Sequence, residues 1–230
     1  LIRHGKVVAR HHYKQNYDSV AQHYDTISGI YNYDDPEWHP YYHRGNLHSL
    51  QSVTKSITSV ALGIAIDQGH LGNVNIHPME LFKGYNQDFT DARRKSITLE
   101  DLLTMRSGID WNEGSYDNDD NSCIIMERSN AWIQYVLSQP MDEAPGRTWE
   151  YNSGVSMLLG KLVGISTGTS VDLWTEEKLF KPLGIRSYFW KTTLDKEVDT
   201  EGGLYLSAED LARIGYLFLH NGKWGNRQIV

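Results

Sequence analysis

Leu50-Gln51-Ser52-Val53-Thr54-Lys55-Ser56-Ile57-Thr58-Ser59-Val60-Ala61-Leu62-Gly63-Ile64-Ala65-Ile66-Asp67-Gln68-Gly69 is the stretch whose reading decides the fold. Its apolar residues at 53, 57, 60, 61, 64 and 65 follow the spacing of one helix face. Between Val53 and Ile66 the only ionisable side chain is Lys55. A helix that is almost uncharged all round belongs in an interior, and a lysine there needs a partner or a task. Ser52 and Lys55 are three residues apart, one turn along the same face. Ser52 also falls at the helix start, where unpaired N–H groups favour developing negative charge. A serine in that place beside a desolvated amine reads as a nucleophile with its base. An N-cap serine followed by a snorkelling lysine is the plainer alternative.

The 230 residues suffice for a full core in one domain or two lobes. Charged residues make up 22% and hydrophobic ones 40%, a globular profile. A net charge of −7, with no basic run interleaved with aromatics, argues against a nucleic-acid partner. The apolar runs are too short for a membrane span. With Cys123 as the single cysteine there is no internal disulfide, and compartment and oligomeric state stay open. The chain starts at Leu1 and stops at Ile229-Val230, which we read as a fragment of a longer protein.

Around the central helix, Leu1 to Ala9 suggests a strand pair about Gly5, and residues 13–48 read as a long connection rich in Tyr and His. His39 and His43 have helical metal-ligand spacing, but Pro40 interrupts them and no carboxylate or thiol completes the set. Asp117 to Asn121 lacks the glycine and glutamate of a calcium loop. No metal is therefore expected. Thr98 opens a short helix with a capping-box pattern, ending near Gly108. Further helices are expected from Ala131 to Ser138, Ser153 to Ile165, Ser170 to about Leu179, and from Ser207 to His220. The remaining strand candidate is Ser187 to Trp190.

Trp149-Glu150-Tyr151-Asn152-Ser153-Gly154 precedes one of these helices. A tyrosine there can aim its hydroxyl into a cleft, and a nearby lysine eases proton uptake or relay by its oxygen. An aromatic staple over the helix entrance is the alternative. Ser52-Val53-Thr54-Lys55, followed about a hundred residues later by Tyr151-Asn152-Ser153, resembles the penicillin-recognising serine hydrolases. These include class C β-lactamases, D-Ala-D-Ala carboxypeptidases, esterases and 6-aminohexanoate-dimer hydrolases. Ile97 to Gly108, with Leu102-Leu103-Thr104-Met105-Arg106-Ser107-Gly108, also fits the family pattern. So do Phe180 to Ile185 and Gly202 to Ala212, all in the family's order.

The resemblance implies an α+β fold, an antiparallel sheet flanked by helices beside a helical lobe. Residues 1–66 would give strands and the nucleophile helix, 67–190 the mainly helical lobe, and 191–230 the return to the first lobe. It implies Ser52 as nucleophile, Lys55 and Tyr151 as shared general base, an acyl-enzyme, and no metal or organic cofactor. Asn152 and Ser153 are the implied substrate-binding residues, with an ester or amide, small or peptide-like, as substrate. Two departures stand out. Position 153 is Ser where the family usually has Asn, which weakens a β-lactamase assignment more than a hydrolase one. The third motif, Lys-Thr-Gly or His-x-Gly on a strand, is not matched by Ser166-Thr167-Gly168 or His220-Asn221-Gly222, and in the family it lies further along than Val230. A catalytically inactive binding or sensor protein of the same fold is the rival reading.

Overall fold

The computed structural model describes residues 1–11, 46–116 and 118–230. His39, His43 and Asp117 lie outside the described residues. The expected N-terminal pair is a small antiparallel hairpin of β1 (Ile2–Arg3) and β2 (Lys6–Val7). His4 and Gly5 both take positive φ in its turn, the twist that suits a two-residue hairpin. Strand β3 (His48–Ser49) then leads into α1 (Val53–Asp67). After α2 (Ala92–Ser96) and α3 (Leu99–Leu103) come α4 (Ser122–Arg128) and α5 (Trp132–Ser138). The long α6 (Ser153–Thr167) follows, then α7 (Val171–Thr175), which runs through a π-turn over Glu176–Phe180 into α8 (Lys181–Leu183). Strands β4 (Phe189–Trp190) and β5 (Leu204–Leu206), α9 (Ala208–Leu219), and the hairpin β6 (Lys223–Trp224) with β7 (Arg227–Gln228) complete the order.

The helix starts follow the capping logic of the sequence. Asn152 Oδ1 accepts from Val155 N at 3.0 Å, and Ser207 Oγ accepts from Asp210 N at 3.1 Å. Thr98 and Asp101 close a reciprocal box, at 3.1 Å from Asp101 N to Thr98 Oγ1 and 2.8 Å from Thr98 N to Asp101 Oδ2. Ser170 occupies its N-cap position without a side-chain cap bond, and the helix it opens runs on to Leu183 rather than Leu179. Helix α3 stops at Leu103, short of the expected Gly108. Met105 adopts φ +56, and Arg106 N and Met105 N turn back to the carbonyls of Asp101 and Leu102 at 2.7 and 3.2 Å. That pairing closes the helix end with a left-handed residue.

The core sits where α1 and α6 pack face to face. Ile57, Ala61, Leu62, Leu158 and Leu162 are fully buried there. Trp174 on α7 fastens the pair by donating its Nε1–H to the Ala61 carbonyl at 3.0 Å. Truncating Ile57 to Ala would cost about 2–5 kcal/mol by the usual cavity argument. The expectation of a helix buried all round needs one correction: Val53 is 46% exposed and Ser56 is exposed, so the first turn of α1 projects.

Strand β5 is the centre of the one three-stranded sheet among the described residues, with β3 and β4 antiparallel on its two sides. His48 lies opposite Leu206 and Ser49 opposite Tyr205, while Phe189 and Trp190 face Tyr205 and Leu204. Leu50 N continues the ladder to Leu204 O at 2.9 Å, and Leu204 N donates to Thr54 Oγ1 at 3.2 Å. The sheet is thereby bonded directly to the first turn of α1.

Candidate active site

That strand-to-helix junction places Ser52. Gln51, immediately before it, has φ +43, a left-handed conformation that costs a non-glycine residue free energy. The turn leaves Ser52 exposed at the N-cap of α1, with no side-chain cap bond to occupy its hydroxyl. Lys55 Nζ donates to Ser52 Oγ at 3.2 Å. The same Nζ lies 5.1 Å from the centre of the Tyr151 ring and is coupled electrostatically to that side chain. The three residues expected to carry chemistry are thus adjacent, although Tyr151 arrives from the far end of a loop about a hundred residues later.

Lys55 is gripped from behind by a residue that the sequence reading passed over. Its Nζ donates to the Glu201 carbonyl at 2.8 Å and lies 3.5 Å from Glu201 Oε2, with both side chains nearly sealed from solvent. Burial by itself lowers the proton affinity of the amine, but Glu201, Tyr151 and Glu113 outweigh it, and the Lys55 pKa is raised. The sequence suggests a desolvated amine ready to accept a proton. The surroundings favour the ammonium form: Nζ donates to Ser52 Oγ and the Glu201 carbonyl and lies beside the Glu201 carboxylate. The sequence signal for Glu201 is its acidic side chain directly before Gly202-Gly203, one residue ahead of the segment that fits the family pattern.

Glu113 is the second residue missed. Its carboxylate accepts from Ser153 N at 2.8 Å, Ser153 Oγ at 2.7 Å, Trp111 Nε1 at 2.7 Å, and the Tyr116 hydroxyl. Four donors on one carboxylate make a strong, directional node. They also account for the unusual serine. Ser153 is fully buried and its hydroxyl proton is committed to Glu113, so it does not face a substrate. Asn152 is 2% exposed and spends its carbonyl oxygen on the cap of α6. Asn152 and Ser153, the expected substrate-binding residues, thus both have an oxygen engaged in holding the start of α6.

A chain of close approaches sets the Glu201 turn. Gly160 on α6 lets Thr200 rest against the helix backbone, where any Cβ would overlap the threonine side chain. Thr200 Oγ1 donates to Ser156 O at 2.8 Å. Asp199 Oδ1 accepts from Glu201 N at 3.2 Å and Gly202 N at 3.0 Å, and Asp199 Oδ2 lies 3.8 Å from Lys191 Nζ. Cys123, Glu127 and Glu201 offer one ligating atom each within 4.8 Å of one another. A groove of about 320 Å3 lined in part by Met157, Lys161 and Glu197 contains none of Ser52, Lys55 or Tyr151. No helix among the described residues is long and apolar enough to cross a membrane.

Comparison with known proteins identifies the family and the fold. The sequence model of the family described as Beta-lactamase matches residues 1–228. The 6-aminohexanoate-dimer hydrolase of Paenarthrobacter ureafaciens is 26% identical over 193 residues, 76% of this chain and 46% of that protein. N-acetylmuramyl-L-alanine amidase of Bacillus subtilis (strain 168) is 29% identical over 143 residues, 61% of this chain and 32% of that protein. The chain thus spans a third to a half of the length of these curated relatives. Among solved structures, the beta-lactamase/D-alanine carboxypeptidase of Yersinia pestis superposes with a TM-score of 0.57 at 19% identity, covering 75% of this chain and 54% of that one. The octameric penicillin-binding protein homologue of Pyrococcus abyssi gives 0.56 at 20% identity, over 77% and 46%. The fold is the β-lactamase/transpeptidase-like α+β fold.

Proposed function

This chain belongs to the beta-lactamase family, and from that premise we propose that it is the nucleophile-bearing part of a serine hydrolase that cleaves an ester or amide through an acyl-enzyme on Ser52. The observation that carries the reading is Ser52 Oγ 3.2 Å from Lys55 Nζ, with the Tyr151 ring against the same ammonium. Names of relatives that denote amide hydrolysis support the substrate class.

In this mechanism Ser52 Oγ forms a bond to the substrate carbonyl carbon and gives its proton to the Lys55/Tyr151 pair. The acceptor is the pair in the form that has already released one proton to solvent, the remaining one shared between the Tyr151 oxygen and Lys55 Nζ, because a phenol beside an ammonium could take none. The Lys55 amine end then stabilises the negative charge on Ser52 Oγ as the bond forms. Collapse of the tetrahedral intermediate breaks the bond to the leaving group, which takes the proton back. Water then cleaves the acyl ester with the same pair as base. The backbone N–H of Ser52 supplies one oxyanion donor, an interaction typically worth about 3 kcal/mol. No step calls for a metal or organic cofactor.

Fluorophosphonate labelling of the whole protein tests the assignment: wild type should be labelled and Ser52→Ala should not. Undiminished labelling of Ser52→Ala would reject it. The rival reading, a binding or sensor protein of the same fold, draws support from the inward Ser153. It predicts no covalent adduct in either form.

A further inference from the structure

We infer that Glu201 is a positioning residue for Lys55, and that Glu127 completes it by sharing a proton with the Glu201 carboxylate, so that a buried acid pair holds the lysine on Ser52. The inference rests on the proposed role of Lys55 but not on turnover. Glu201 meets Lys55 twice, through its carbonyl at 2.8 Å and its carboxylate at 3.5 Å. It reaches this place because Asp199 pins the backbone of residues 201 and 202, and because Gly160 and Gly203 leave room for Thr200 and Asp199. The arrangement is a built turn, and it puts an acid behind the lysine that a serine–lysine pair alone does not require.

Glu127 on α4 is half-buried, and its carboxylate, the Cys123 thiol and the Glu201 carboxylate each place an atom within 4.8 Å of the others. Two carboxylates in contact inside a protein cannot both ionise cheaply. Burial first, then Glu201, pushes the Glu127 pKa up to about 9. A protonated Glu127 donates to Glu201 and leaves one net negative charge to face Lys55. The other ionisable groups around this pair are Lys191 and Asp199 on the β4 side, Glu113 and Tyr151 beside α6, and the Cys123 thiol on α4. Burial pulls Lys191 down to about 8 and pushes Asp199 up to about 7. Burial also pushes the Cys123 thiol up, so it stays neutral. A divalent cation between Cys123, Glu127 and Glu201 would need both acids and the thiol deprotonated, with Lys55 adjacent as a competing cation. Proton sharing suits this group better than a metal.

The test is a 15N titration of the lysine Nζ groups in the whole protein, with Lys55 assigned through Lys55→Arg. Glu201→Gln should lower the Lys55 titration midpoint by about one unit or more, whereas Glu201→Asp should leave it raised and Glu127→Gln should leave it near wild type. A Lys55 midpoint unchanged in folded Glu201→Gln would overturn the inference. If that variant does not fold, carboxyl 13C titration of the wild type decides. One glutamate signal, absent in Glu127→Gln, should hold its proton through neutral pH, and ionisation of every glutamate below about pH 6 would refute the shared proton. These readouts do not use Ser52, so loss of the hydrolase reading by the labelling experiment and loss of this inference are separate results.

Discussion

Replacing Glu113 with alanine is the sharpest probe of how the start of α6 is held. The carboxylate accepts from Ser153 N, Ser153 Oγ, Trp111 Nε1 and the Tyr116 hydroxyl. Ser153 is fully buried and Trp111 is 2% exposed, so the Ser153 N–H and the indole N–H would lose their acceptor out of reach of solvent. An orphaned buried donor costs about 1–3 kcal/mol. The two hydroxyls rotate and recover part of their bonding. The two buried donors sum to about 2–6 kcal/mol, which for a chain of this length lowers Tm by roughly 4–24 °C. Glu113→Gln should fall between, because both carboxylate oxygens accept and an amide group can offer only one. Ser153→Ala removes a single donor and leaves the carboxylate its other partners, so it should cost about 1 kcal/mol. The double variant should be milder than the sum, by 0.5 kcal/mol or more, as expected of residues sharing one network. Thermal melts followed by circular dichroism read all four variants. A Glu113→Ala Tm within about 2 °C of wild type would refute the node, as would strict additivity with Ser153→Ala.

Other expectations follow from the same geometry. Lys55→Met and Tyr151→Phe should each reduce ester hydrolysis about 100-fold or more in kcat, Lys55→Met also lowering Tm because it leaves the Glu201 carboxylate unpaired, and equal activity in either folded variant would remove that residue from the mechanism. Glu127→Gln tests the sign of the buried acid. A carboxyl raised to about 9 when folded, against about 4.5 unfolded, stabilises fully below pH 4.5 and progressively less as pH rises towards 9. Glu127→Gln should therefore match wild type near pH 4 and melt a few degrees higher near pH 8, with the opposite order contradicting the assignment. Lys191 and Asp199 both change charge within that window, and both remain in the variant. Gly160→Ala should destabilise by about 1–3 kcal/mol, since the new methyl overlaps Thr200. An unchanged melt would show that the turn carrying Glu201 yields freely.

Much of this arrangement is legible from the sequence for local reasons. The 3.6-residue spacing of 57, 60, 61 and 64 gives α1, and Asn152, Thr98 and Ser207 mark helix starts through side-chain oxygens next to their own backbone. Ser52 and Lys55 share a face because they share a helix, and Tyr151 stands out because it precedes another helix start. Glu113 and Glu201 carry no such mark. They reach the site from 40 residues before Ser153 and 146 residues after Lys55, through packing that leaves no periodic trace. The surroundings of Lys55 are hidden for the same reason: an uncharged helix says how much water is lost, but not which carboxylates arrive from elsewhere. For Asn152 and Ser153 the motif names residue types, while the cap of α6 and the Glu113 carboxylate decide what their oxygens bond.

The central claim is that Ser52 becomes acylated. The direct measurement is intact mass and peptide mapping of the whole protein, acid-quenched shortly after mixing with a p-nitrophenyl ester. The account predicts an acyl mass increment confined to the peptide containing Ser52, absent in Ser52→Ala and decaying in wild type as hydrolysis proceeds. An acyl group mapped to another side chain, or hydrolysis that continues undiminished in Ser52→Ala, would contradict it.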